Sequence, residues 1–110
     1  MVAVNNFYFF KNLSEAATSE ITKNMSGENL TIQIDGDGSD FSIKLLGCSD
    51  MASEEYYELS GLSTSFEVLQ SITQNGIYSF GIEGIAKLKL QLVSISGGSI
   101  TAFGKITKGV

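Results

Sequence analysis

The sequence predicts an all-β fold: an antiparallel β-sandwich, jelly-roll-like, of about seven to eight strands. Three observations lead there. Apolar and polar residues alternate over most of the chain beyond Asn29, which puts successive side chains on opposite faces of a strand. Clusters of Gly, Asp, Asn and Ser separate the alternating runs at roughly the eight-to-twelve-residue spacing of sandwiches and barrels. Only one segment, Leu13 to Met25, carries a helical spacing.

The first segment, Met1 to Lys11, has an apolar patch but neither a basic start nor a long uninterrupted apolar stretch, so it does not read as a signal peptide. Residues 1–12 read as an N-terminal arm or an edge strand. Within them, Phe7, Tyr8, Phe9 and Phe10 are consecutive aromatics, which places large rings on both faces of any strand they form. Such a strand is either sandwiched between layers of its own core or laid against another subunit.

Leu13, Ala17 and Ile21 fall at four-residue spacing, and Ser14 could cap a short helix near Ser14 to Ala17. The β-branched Thr18, Ile21 and Thr22 favour an extended chain instead. Leu30, Ile32 and Ile34 then alternate with polar residues, as do Phe41, Ile43 and Leu45. The intervening Asp35-Gly-Asp-Gly-Ser-Asp40 is rich in residues that tolerate positive φ, and the whole reads as a hairpin. Glu55 to Leu59 and Ser65 to Leu69 follow as short strands with a turn at Ser60 to Thr64 between them. Ile77 to Ile82 places Tyr78, Phe80 and Ile82 on one face. Lys87 to Val93 is the cleanest strand, with Leu88, Leu90 and Leu92 inward and Lys87, Lys89 and Gln91 outward. After Ser96 to Ser99 comes the last strand, with Ile100, Ala102, Gly104 and Ile106 on one side.

With 110 residues and 43% apolar against 17% charged, the chain reads as a single domain over 1–110, able to bury one core. It has no Pro, a residue that often blunts exposed strand edges, so covering by another subunit is expected, and with it a homo-oligomer. Seven basic residues, all Lys, face twelve acidic ones, a formal charge of −5. That balance disfavours nucleic acid and anionic membrane as partners. No apolar run approaches the roughly eighteen residues of a spanning helix.

The absence of His excludes Ser-His-Asp triads and Cys/His zinc sites. Glu54, Glu55, Glu58, Glu67 and Glu83 could formally supply a carboxylate pair, but they read as solvated residues. Asp35, Asp37 and Asp40 offer closely spaced oxygen ligands of the kind calcium takes. They lack the closing glutamate of an EF-hand loop, and turn residues are the simpler reading. Cys48 is the lone cysteine, without a cationic neighbour to activate it. The sequence therefore points to a protein that is not an enzyme, with no cofactor and no metal. Tyr56 and Tyr57 cannot both face a core, and the outward one is a candidate for a partner surface or a sugar-stacking platform. With Phe7, Tyr8, Phe9 and Phe10, these two tyrosines are the candidate interface residues.

The segments Ser65 to Gly84, Lys87-Leu-Lys-Leu-Gln-Leu92 and Gly97 to Lys105 resemble those of small virion proteins of tailed bacteriophages of Gram-positive hosts. The shared pattern is a strand, an Asn-Gly-Ile-Tyr entry at Asn75 to Tyr78, a glycine corner, a Lys-Leu-Lys-Leu strand and a Gly-Gly hairpin. Ile43 to Asp50 leading to Tyr56-Tyr-Glu-Leu59 also looks like part of a jelly-roll, galactose-binding-like sandwich. Tyr56 or Tyr57 there stands where such domains often carry Trp, and Cys48 where they carry Ser. The likeness spans residues 29 to 107 and specifies a fold better than a function. It implies a structural virion protein made in the host cytoplasm: a capsid decoration (head accessory) protein bound to the major capsid protein or another virion protein. A tail or baseplate accessory protein and a carbohydrate-binding module are the alternatives.

Overall fold

Where the sequence alternates, the chain is extended. The computed structural model describes residues 2–109, so Met1 and Val110, the ends of the expected domain, lie outside it. Its strands are β1 (Val2–Leu13), β2 (Ala17–Thr18), β3 (Thr22–Lys23), β4 (Asn29–Gly36), β5 (Ser42–Cys48), β6 (Tyr57–Glu58), β7 (Gly61–Ser63), β8 (Val68–Leu69), β9 (Gly76–Gly81), β10 (Lys87–Ser94) and β11 (Ile100–Lys108). The expected strand number is exceeded because five of these eleven have only two or three residues, too short to leave an alternation in the sequence. Leu13 to Met25 is extended through β2 and β3, and no helix forms among the described residues.

The strands make two antiparallel sheets, one ordered β1-β11-β4-β9-β7-β8 and the other β2-β10-β5-β6, with β3 also on β10. Between them lies the core. The large sheet contributes Leu30, Ile32, Ile34, Tyr78, Phe80, Ile100, Ala102 and Ile106. The small sheet contributes Ile43, Leu45, Leu88, Leu90 and Leu92. Each inward position foreseen from the alternation is buried.

The two sheets are joined differently from the expectation. The run Asp35 to Asp40 was expected to close a hairpin, yet β4 pairs with β11 and β9 while β5 pairs with β10 and β6. The run is an arch from one sheet to the other. Ser96 to Ser99, expected as a Gly-Gly hairpin, is a second arch that carries β10 to β11. Strands that point their apolar residues at a shared interior alternate identically whether they lie side by side or face to face.

The two arches are zipped together. Asp37 N–H donates to Ser99 O at 3.1 Å, Ser39 N–H to Gly97 O at 2.9 Å and Ser96 N–H to Ser39 O at 3.0 Å. Gly98 has φ +73°, and a Cβ there would sit 2.4 Å from Asp37 O; only glycine fits against the neighbouring arch.

A third correction concerns Ser60 to Thr64, expected as a turn. It contains β7, which pairs with β9 and with β8. Gly61 of β7 lies close against Phe80, where a Cβ would meet the ring at 2.6 Å.

At the opposite end from the arches, Asn24 ties three segments together. Its Nδ2 donates to Gly27 O at 3.2 Å, Ile82 O at 3.2 Å and Ile85 O at 2.9 Å, and its Oδ1 accepts from Gly27 N–H at 2.8 Å. Removing one amide group would strand several partly buried backbone groups at once. Asn24→Ala is expected to lower stability by about 2–3 kcal/mol in urea unfolding, with the slope of the transition unchanged because the same core is exposed.

Candidate interaction surfaces

The four N-terminal aromatics separate by depth. β1 is an edge strand on β11, with irregular register between Tyr8 and Phe10. An extra residue at such a bulge breaks strict alternation, and so Phe7, Phe9 and Phe10 all pack toward the core. Phe7 and Phe9 meet edge to face at 4.8 Å over the bare backbone of Gly104, where a Cβ would approach both rings at 2.9 Å. Tyr8 alone faces out, 51% exposed, against Phe103 at 5.3 Å and under Lys11 at 4.3 Å.

Tyr56 and Tyr57 point in different directions, as adjacent residues must. The Tyr56 ring covers the outer face of β10, with Lys89 Nζ 3.9 Å and Lys87 Nζ 5.4 Å from its centroid. Lys87, expected to be outward, is outward but only 7% exposed: the loop from Ser49 to Tyr56 folds over it, and its ammonium donates to Ser53 O. Tyr57 is 69% exposed and lines a cleft of about 410 Å³ with Gly47, Cys48, Leu59 and Ile85. The rim of that cleft carries Asp50 and Glu55. Cys48 is buried there, its thiol 3.2 Å from Asp50 O.

The acidic residues of the arch are occupied locally. Asp35 accepts from Gln33 Nε2 at 2.8 Å, Asp37 from Ser99 N–H at 2.9 Å and Asp40 from Ser96 Oγ at 3.3 Å. Among the described residues no group of three or more Cys, Asp or Glu gathers as a metal would require. Of the five candidate glutamates Glu54, Glu55, Glu58, Glu67 and Glu83, Glu58 pairs with Lys44 and Glu67 accepts from Ser65 Oγ at 3.1 Å.

One surface carries no signal in the sequence reading. The β7–β8 hairpin presents Leu62, Phe66 and Val68, with Ile77 of β9 beside them, all exposed. Ser65 to Leu69 was expected as a strand, which would have put Phe66 and Val68 on one face and left the choice of face open. In the structure only Val68 and Leu69 are in the strand. Phe66 sits in the turn at φ +65° and is 82% exposed, and Val68 is 75% exposed.

The turn is a three-residue loop: Phe66 N–H donates to Ser63 O and Ser63 N–H to Glu67 O, each at 3.0 Å. Such loops place their last residue in the left-handed region, where Gly is preferred. Ser63 Oγ accepts from Ser65 N–H at 3.3 Å and from Glu67 N–H at 3.2 Å, and this holds the loop in shape. The left-handed backbone costs a bulky residue roughly 1–2 kcal/mol. Among the described residues the other non-glycine positions at positive φ are Asn12 and Asp40, types that tolerate it. Phe66 is thus held in a strained conformation with its ring in water.

Taken with the two sheets, these surfaces define a β-sandwich domain that presents a preorganised apolar hairpin. Residues 3–106 match the family model XepA, and the chain belongs to that family. Its fold resembles the SPBc2 prophage-derived protein YomS, with 24% identity and a TM-score of 0.84 over 96% of this chain and 95% of that one. It also resembles the PBSX exported protein XepA, with 19% identity and a TM-score of 0.86 over 93% of this chain but only 37% of that one. A comparison with curated proteins gives no match.

Two of these side chains yield measurable expectations. The Tyr56 hydroxyl is buried without a hydrogen-bond partner, so Tyr56→Phe, which keeps the ring over Lys89, is expected to leave stability unchanged or raise it by up to about 1 kcal/mol. Tyr56→Ala would lower it, and thermal melts separate the two. Burial raises the pKa of Tyr78 above its ordinary value of 10.0, and its hydroxyl donates to Gln74 O at 2.7 Å. A raised folded pKa means that the unfolded chain releases this proton first. Stability from this group is therefore complete below pH 10.0 and is lost as pH climbs through the higher folded value. Melts between pH 9 and about 11.5 should fall more steeply for the natural chain than for Tyr78→Phe.

Proposed function

We propose that this chain is a non-enzymatic structural component of a tailed-phage particle, a capsid decoration (head accessory) protein that binds the particle through self-association and protein contacts. The observation that carries this reading is the exposed apolar hairpin with Phe66 held in a strained turn. A monomer gains nothing from it, whereas a protein contact recovers the buried ring area. Membership in the XepA family and the prophage origin of YomS support a phage role. PBSX XepA is an exported protein, which supports a place outside the host cell, as on a particle. Proteins, not nucleic acid or lipid, are the partners that a net charge of −5 favours.

A tail or baseplate accessory protein would use the same surface chemistry. The exposed Tyr57 ring beside its cleft favours a third reading, a carbohydrate-binding module, which calorimetry with cell-wall glycans addresses. Gold-labelled antibody on purified particles separates the first two. Label on the head is the expected result; label on the tail transfers the role to the tail, and particles free of the protein dismiss both.

A further inference from the structure

We infer that the Asn75-Gly76 link is a site of spontaneous deamidation, and that the conversion releases the tie between the start of β9 and the arch at Asp35 to Asp40. This chemistry requires nothing of the particle role proposed above. Of the asparagines in the chain only Asn75 precedes a glycine; the others precede Asn6, Phe7, Leu13, Met25 and Leu30. A side chain on the following residue hinders attack by that residue's backbone nitrogen, and glycine has none. Asn75 is exposed, and both it and Gly76 line a polar, solvent-facing cleft of about 410 Å³. A Cβ at Gly76 would meet nothing nearer than 3.5 Å, so no neighbouring group crowds the link.

The step balances with water as the only co-reactant. The Gly76 nitrogen bonds to Asn75 Cγ, the Cγ–Nδ2 bond breaks, and the proton of the Gly76 N–H leaves with Nδ2 as ammonia. Water then opens the cyclic imide at one of its two carbonyls. Opening at Cγ leaves aspartate. Opening at the main-chain carbonyl of residue 75 leaves isoaspartate, with the chain running through the side-chain carbon.

The departing Nδ2 is the atom that donates to Gly36 O at 2.9 Å. A carboxylate only accepts, so two acceptors face one another where a hydrogen bond stood. Gly36 itself lies tight against the second arch, where a Cβ would sit 2.4 Å from Ser99 O. Asp35 and Asp37 flank it in the chain, and the new negative charge adds a repulsion that salt screens. The loss therefore falls on the end of the sandwich where both arches meet. At the opposite end Asn24 precedes Met25 and keeps four hydrogen bonds, so that tie is durable.

Peptide mapping of the natural chain after incubation at mildly alkaline pH tests this. A glutamate-specific protease releases residues 68–83, in which Asn75 is the only asparagine. That peptide is expected to gain one mass unit before any other asparagine-bearing peptide does. It should also split into an aspartate and an isoaspartate form, the latter accepting a methyl group from a protein isoaspartyl methyltransferase. Isomerisation at Asp35-Gly36 or Asp37-Gly38 leaves the mass unchanged and is distinguished by that. Asn75→Asp supplies the product directly, and its folding equilibrium constant in urea unfolding is expected to be roughly five- to tenfold smaller than that of the natural chain, the deficit narrowing as salt rises. A 68–83 peptide that keeps its mass while other asparagines convert overturns the site. An Asn75→Asp chain as stable as the natural one overturns the release of the arch, whatever the masses show.

Discussion

Facing rows of Leu and Ile across one interior hold this molecule together. Leu30, Ile32 and Ile34 on β4 look across at Ile43 and Leu45 on β5 and at Leu88, Leu90 and Leu92 on β10, all essentially without solvent contact. Burial of such side chains contributes on the order of 1.5–3 kcal/mol each, and the lone cysteine leaves no disulfide to share the task. Everything outside this interior is positioned by it. The arches are short because they only cross from one sheet to the other, and the β7–β8 hairpin is added to the edge through β9.

The inward residues were legible because strand periodicity is enforced at every second position: one polar residue among Leu88, Leu90 and Leu92 would cost more than the strand could recover. Sheet partnership left no such mark. β4 and β5 alternate as hairpin strands do, and only the pairing of β5 with β10 and of β4 with β11 distinguishes an arch from a hairpin. That choice is made by contacts remote in sequence, such as those of Asp37 with Ser99 and of Ser39 with Gly97. Chain order carries no trace of them.

The surfaces were legible in part. Four consecutive aromatics announced an unusual strand, but the bulge between Tyr8 and Phe10 decided which rings went inward, and bulges depend on the partner strand rather than on composition. The Tyr56–Tyr57 pair had to split between two directions. The surprise is that the inner one covers lysines on the outside of the small sheet instead of entering the main core. A chain with few charges can thereby bury Lys87 with its ammonium on a carbonyl and an aromatic face, which supplies the partners a buried cation requires.

Phe66 was invisible for a different reason. Within Ser65 to Leu69 it passes for an ordinary strand residue, and only the backbone torsion reveals the conflict. This chain is not short of glycine: it places Gly36, Gly76, Gly84 and Gly98 at positive φ. Phenylalanine in the hairpin therefore carries two penalties in the isolated molecule, a strained backbone of roughly 1–2 kcal/mol and an apolar ring left in water. The serine network of the loop holds the ring out and prevents the turn from relaxing. Local rules that fail at one position while the surrounding residues obey them mark function more often than error. A contact that buried this ring would recover about as much as the turn gives up, and that balance is why the proposed particle contact is assigned to the hairpin rather than to the flat faces of the sheets.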